Sequence, residues 1–136
     1  MNPHKSALHA LLALAFSLTS LFAQTPSWQW TEGPYHGIIN CFVRGPNGYL
    51  YAGTPVGVFR TPIDHDAWTL VSGGLLDREI TALAIDSSGV LYAGTQEGVF
   101  RSLDEGGLWG IVNSGLENRN VHALQAIPPG VLLAAT

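Results

Sequence analysis

Cysteine is almost absent: Cys41 stands alone in 136 residues, so no intramolecular disulfide can form and no C-x-x-C metal or redox pair exists. Stability must come from packing. Lysine is equally scarce, with Lys5 the only one, and charged residues make up 12% of the chain. No basic patch of the kind that nucleic-acid phosphates require is on offer. Beyond residue 23, five arginines face ten carboxylates, a formal charge of about −5, which also disfavours anionic membranes. No stretch carries a convincing 3.6-residue apolar period, and this excludes parallel βαβ architecture. Equally missing are a glycine-rich phosphate loop opening a helix and a Ser-His-Asp set on a nucleophile elbow. Neither an enzyme nor a cofactor is indicated.

What is present is an apolar fraction of 46%, enough to build the core of one small globular domain. Residues 1–23 stand apart: Lys5 precedes the run "ALHALLALAFSLTSLFA", which is too short and interrupted to span a bilayer comfortably. This pattern predicts a signal peptide cleaved between Ala23 and Gln24, with Leu21 bulkier than the small residue preferred at that position. The alternative is an uncleaved anchor. The expected location is secreted or periplasmic, without membrane attachment after cleavage.

The remainder is a repeat. Ile39–Glu79 lies on Ile80–Asn120 at an offset of 41 residues without a gap. Leu50-Tyr51-Ala52-Gly53-Thr54 recurs as Leu91-Tyr92-Ala93-Gly94-Thr95, Gly57-Val58-Phe59-Arg60 as Gly98-Val99-Phe100-Arg101, and Trp68 as Trp109. A third copy begins at Val121, where "VHALQAIPPGVLLAAT" follows "ITALAIDSSGVLYAGT". A partial copy precedes the first, since "WQWTEGPYHGII" from Trp28 resembles "WTLVSGGLLDREI" once one residue is dropped. The chain divides accordingly into residues 1–23, 24–38, 39–79, 80–120 and 121–136.

Inside each unit the pattern is β. "ITALAID" ends in the turn cluster "DSSG", "VLYAGT" follows, "GVFRS" leads to "LDEGG", and "LWGIVN" leads to "SGLENRN". Four short strands bounded by turn residues in a period near 40 predict an all-β chain: a β-propeller of four-stranded antiparallel blades. Residues 24–38 are expected to form the outer strand of a preceding or closing blade. Gly53 and Gly94 fall near the end of the second strand, where a side chain would obstruct neighbouring backbone, and Gly57 and Gly98 open the third. Trp68 and Trp109 open the fourth strand, each placed to bury aromatic area between its own blade and the next. Cys41 aligns with Ala82 and reads as a small core residue.

Ser102-Leu103-Asp104-Glu105-Gly106-Gly107-Leu108-Trp109 matches S-x-D-x-G-x-x-W at every specified position, and resembles the Asp box of sialidase-like (bacterial neuraminidase) repeats. The wider frame, "GL" before an "xxVxALA" strand and then "GxLYAGTxxGVFRS", is similar to secreted bacterial propellers of the sortilin and photosystem II stability and assembly factor type. It also resembles the propeller repeats of two-component regulators. The resemblance covers roughly Trp28 to Thr136. In the first unit Thr61, Ile63, His65 and Trp68 occupy the four box positions, so only Thr61 and Trp68 survive of a degenerate box. The resemblance implies that Asp104 locks its turn through backbone N–H groups, and that the first unit has lost that lock.

Three functions remain open. The first is a non-catalytic propeller module recognising a protein or glycan through loops arranged in a ring. The second is an extracytoplasmic sensor segment of a two-component regulator. The third is a fragment of a sialidase-like hydrolase, for which the boxes lie away from the active site and no arginine cluster or tyrosine–acid pair can be assigned. Arg60 and Arg101 are expected to pair at the surface with carboxylates such as Asp64 or Asp104. Asp64-His65-Asp66 reads as a solvated turn, with His36 and His122 in unrelated segments. No catalytic, metal or cofactor-binding residue is assigned. About two and a half to three blades are too few to close a ring of four to eight, so the chain is expected to belong to a longer propeller or to self-associate through an exposed edge at "VLLAAT".

Overall fold

The computed structural model describes residues 33–34, 37–65 and 67–136. The expected signal peptide and most of the expected 24–38 strand lie outside these residues. Among the described residues the protein is all-β, with no helix. Strands β1 (Cys41–Arg44), β2 (Tyr49–Thr54), β3 (Gly57–Pro62) and β4 (Thr69–Leu70) form one sheet. Strands β5 (Ala82–Ile85), β6 (Leu91–Thr95), β7 (Gly98–Ser102) and β8 (Trp109–Ile111) form a second. Both are antiparallel with neighbours in chain order, and β9 (Ala123–Ile127) and β10 (Val131–Ala135) form a separate antiparallel pair.

Local chemistry accounts for the turns. Between β2 and β3 only Pro55 and Val56 intervene; the Thr54 hydroxyl accepts from the Val56 N–H at 3.2 Å and donates to the Gly57 carbonyl at 2.9 Å. Thr95 does the same at 3.0 and 3.1 Å. Gly57 and Gly98 adopt φ of 135° and 123°, which a side chain rarely tolerates. Between β5 and β6, Asp86 Oδ1 accepts from the Ser88 and Val90 N–H groups at 2.8 and 3.0 Å, an Asx turn that a "DSSG" cluster favours.

The registers coincide at the sequence offset: Cys41 faces Gly53 in the first sheet as Ala82 faces Gly94 in the second. Because strand side chains alternate between faces, each sheet presents two. Leu83, Leu91, Ala93, Phe100 and Trp109 of the second sheet form one core with Tyr51 and Val58 of the first and with Val71 and Leu75, which follow β4. Tyr51, Leu91 and Phe100 are at most 1% exposed, and each such burial stabilises by roughly 1.5–3 kcal/mol. Stacking therefore takes a defined pair of faces.

Where the second strand of each unit ends, backbone bonds tie it to the start of the next unit. The Ile80 N–H donates to the Thr54 carbonyl at 3.0 Å, and the Val121 N–H donates to Thr95 at 2.9 Å. Asn40 Nδ2 adds a bond to the Ile80 carbonyl at 2.8 Å, and the Thr81 hydroxyl adds one to Val121. This tie explains the second-strand glycines, although not by obstruction of backbone as the sequence suggested. A Cβ on Gly53 would lie 2.5 Å from Cys41 Sγ and 2.6 Å from Ile80 Cγ2; one on Gly94 would lie 2.6 Å from Val121 Cγ1. Side chains of the following unit occupy the space, joined at Gly53 by Cys41 of the same sheet.

Gly94→Ala is expected to lower stability by about 1–3 kcal/mol through overpacking. Gly110→Ala, where nothing lies within 4 Å, is expected to stay within about 0.5 kcal/mol. Urea unfolding midpoints of the two variants measure the difference.

Candidate functional site

The β7–β8 connection holds the densest polar arrangement. Ser102, fully buried, donates its hydroxyl to Asp104 Oδ1 at 2.8 Å and accepts the Gly106 N–H at 2.9 Å. Asp104 Oδ1 also accepts the Leu108 N–H at 2.8 Å. That bond first, and the Ser102 hydroxyl next, hold the Asp104 carboxyl below its ordinary range. Glu105 takes φ of 59° and Gly106 91°, so the chain reverses tightly enough to bring Trp109 back over the sheet. Ser102 Oγ and Asp104 Oδ1 both bond within their own turn, as a turn lock does.

Trp109 is 4% exposed. Its indole N–H donates to the carbonyls of Val71 at 2.8 Å and Gly106 at 3.1 Å, and its backbone N–H donates to Gly73 at 2.8 Å. Val71 and Gly73 belong to the preceding unit, so the indole faces backwards along the stack and not towards the next unit as expected. Trp68 differs: it is half-buried, its ring centroid lies 6.4 Å from that of Phe42, and its buried Nε1 has no hydrogen-bond partner among the described residues.

In the degenerate first box the turn retains a lock. Thr61 donates its hydroxyl to the His65 carbonyl at 2.7 Å and accepts the Ala67 N–H at 3.2 Å. Ala67 is the counterpart of Leu108, so the hydroxyl takes over a bond that Asp104 makes in the second unit. With Ile63 at the position of Asp104, that N–H still has an acceptor.

Arg60 departs from the surface pairing expected with Asp64. Its Nη1 lies 3.1 Å from Glu105 Oε2 and donates to the Glu105 carbonyl at 3.1 Å, bridging the first sheet to the second sheet's box. The guanidinium also lies 4.8 Å above the Tyr49 ring, a cation–π contact. Asp64 instead meets His65 Nδ1 at 3.0 Å, and that bond lowers its pKa. Asp66 and His36 lie outside the described residues; among those described, no three metal-ligating side chains converge.

Burial pushes the Cys41 thiol up to about 11, opposed in part by a bond with the Gly53 backbone. It is a protonated core thiol at neutral pH, not a poised nucleophile. Burial likewise raises the Tyr51 phenol, partly offset by the Asn47 Nδ2 bond to its hydroxyl at 2.9 Å.

Concave surface occurs where successive strand-1/strand-2 turns meet. One groove of about 380 Å³ lies between the Asp86–Ser88 turn and Pro128–Gly130, with Tyr92 in its wall. Another, of about 480 Å³, lies between Arg44–Pro46 and the same Asp86–Ser87 segment. Ser87 lines both.

Sequence comparison alone did not single out Ser72 and Asn113, which are equivalent but different. Ser72 Oγ accepts the Val58 N–H at 2.8 Å, and Asn113 Oδ1 accepts the Val99 N–H at 2.7 Å. The only available signal was that both carry a short polar acceptor. No protein-family model, curated protein or solved structure matches the chain.

Ser102→Ala leaves the buried Gly106 N–H without its acceptor and is expected to cost about 1–3 kcal/mol, read from denaturant midpoints. Since the folded-state pKa of Asp104 is depressed, its contribution is present above the ordinary carboxyl pKa and is lost as pH falls below about 4. Asp104→Asn is expected to flatten the acid limb of the stability–pH profile and to leave its alkaline limb unchanged.

Proposed function

We propose that residues 39–79, 80–120 and 121–136 are blades of a secreted or periplasmic β-propeller that recognises a protein or glycan and catalyses no reaction. The observation that carries this reading is the junction repeated at one offset: Thr54 to Ile80, and Thr95 to Val121. Identical ties between successive antiparallel sheets are what radial repetition around an axis requires. The box side chains support the non-catalytic part, because Ser102 Oγ and Asp104 Oδ1 bond to backbone and to each other.

The ligand surface on this reading is the pair of grooves between successive turns. Their walls combine Ser and Asp side chains with Tyr92 and three prolines, a mixture of hydrogen-bonding groups and flat apolar surface suited to sugars and extended peptides. Repetition places such grooves side by side, so one ligand can span two.

The test is a panel of immobilised glycans and peptides, together with a fluorogenic sialoside. Saturable binding without turnover is expected, and Ser87→Trp, at an exposed turn position, is expected to weaken it at least ~10-fold by filling both grooves. An unchanged affinity in that variant would remove the grooves from the account. Measurable sialoside cleavage would overturn the non-catalytic reading itself.

A further inference from the structure

The sequence contains a single Asn-Gly pair, Asn47-Gly48, and the structure sets it in the turn between β1 and β2. The equivalent positions are Ser88-Gly89 in the second unit and Pro129-Gly130 in the third. In the second unit Asp86 Oδ1 accepts the Val90 N–H at 3.0 Å. The counterpart of Asp86 in the first unit is Gly45, which has no side-chain acceptor, and Asn47 Oδ1 accepts the Tyr49 N–H instead, at 3.3 Å. The turn makes room for this arrangement: a Cβ on the buried Gly45 would collide with Asn47 Oδ1. The amide is held at its other end as well, with Nδ2 donating to the Tyr51 hydroxyl at 2.9 Å.

A side-chain amide bonded to the N–H two residues on is folded over the peptide between them, so Asn47 Cγ faces the Gly48 nitrogen. Gly48 is exposed, with φ of 81°, and carries no side chain to shield that nitrogen. Attack by a peptide nitrogen on Cγ develops negative charge on Oδ1, where the Tyr49 N–H already donates, as an oxyanion donor does. Ammonia leaves only once Nδ2 has gained a proton, and the group beside Nδ2 is the Tyr51 hydroxyl. Burial raises the pKa of that phenol, which keeps it a proton donor in neutral water. Nucleophile, oxyanion donor and acid thus come from one hairpin.

We infer that Asn47 is a self-modification site, at which the β1–β2 turn converts its own asparagine through a succinimide to aspartate and isoaspartate. The Gly48 N–H loses its proton to solvent hydroxide, and the nitrogen forms a bond to Asn47 Cγ. The Cγ–Nδ2 bond then breaks: Nδ2 takes the Tyr51 hydroxyl proton and departs as ammonia, and the phenolate regains a proton from water. Water opens the succinimide at either carbonyl, so water is consumed and ammonia released with no change of oxidation state. Opening at one carbonyl leaves aspartate. Opening at the other routes the backbone through the side-chain carbons and adds a methylene to the turn that sets the register of Arg44 to Leu50 and Val43 to Tyr51. Either product places a carboxylate beside the groove that Gly45, Pro46 and Gly48 line. The conversion happens once per chain and is not turnover, and it stands whether or not the grooves bind a ligand.

The test holds the full chain in neutral buffer and follows residue 47 against the other asparagines by peptide mapping and tandem mass spectrometry. Conversion is expected at residue 47 ahead of every other asparagine, with isoaspartate among the products. Tyr51→Phe, which removes only the hydroxyl, is expected to slow it at least ~10-fold. Gly45→Ala, whose Cβ drives Asn47 Oδ1 from its bond with the Tyr49 N–H, is expected to slow it too. The Tyr51→Phe change in an isolated peptide of residues 44–51 is expected to leave the rate unchanged, since the contact belongs to the fold. If these bonds merely restrained the amide, breaking either would speed conversion instead. Conversion at residue 47 no faster than at the other asparagines overturns the proposal. So does an unchanged or faster rate in either variant with native circular dichroism, or an equal slowing in the peptide. Should one variant lose the native spectrum, the other decides.

Discussion

Trp109 reaches the preceding unit twice, through its indole to Val71 and its backbone N–H to Gly73, both at 2.8 Å. That two-point tie brings two backbones so close that the residues around it can carry no side chain. A Cβ on Gly73 would collide with the Gly107 carbonyl, one on Gly74 would lie 2.8 Å from the Trp109 carbonyl, and one on Gly106 would lie 2.8 Å from Val71 Cγ2. The tie also sets the distance over which Arg60 meets Glu105, and it seals Tyr51 and Val58 beneath the second sheet. A sheet apolar on both faces cannot stand in water alone; here the indole decides which face meets which.

Across the units the same bonds are kept by different residues. Ser72 and Asn113 both cap the start of the third strand, Asn40 and Thr81 both reach the next unit's first carbonyl, and Thr61 makes a bond that falls to Asp104 in the second unit. What persists is the need to satisfy a particular backbone group, since leaving one buried and unpaired is costly. Identity persists where geometry admits little alternative, as at Thr54 and Thr95, which both accept and donate within one tight turn, and at Gly57 and Gly98, held at positive φ.

The strands and their turns were legible because turn chemistry is local. "DSSG" writes its own Asx turn, and Thr-x-x-Gly writes its own hairpin. Four antiparallel strands per unit followed from their spacing. Contacts between units were less legible, because they depend on how far one sheet is shifted against the next. Arg60 was expected beside Asp64, four residues on, but the stacking carries it to Glu105 in the other sheet. Gly53 was read as a backbone clearance and is a pocket for Ile80. Trp68 and Trp109 looked interchangeable, yet among the described residues only the Trp109 indole finds acceptors, one in its own turn and one in the unit before it. The grooves were invisible in the sequence, since each is made by two turns about 40 residues apart.

The stacking tie has one direct readout, the exchange of tryptophan indole protons with solvent followed by NMR. An indole bonded to Val71 and Gly106 at 4% exposure should exchange only when the sheets separate. The Trp109 indole proton is therefore predicted to be among the slowest in the protein, with the opening free energy of the core amides of β6 and β7. Exchange of that proton at the rate of a solvent-exposed indole, while those amides stay protected, would contradict the account.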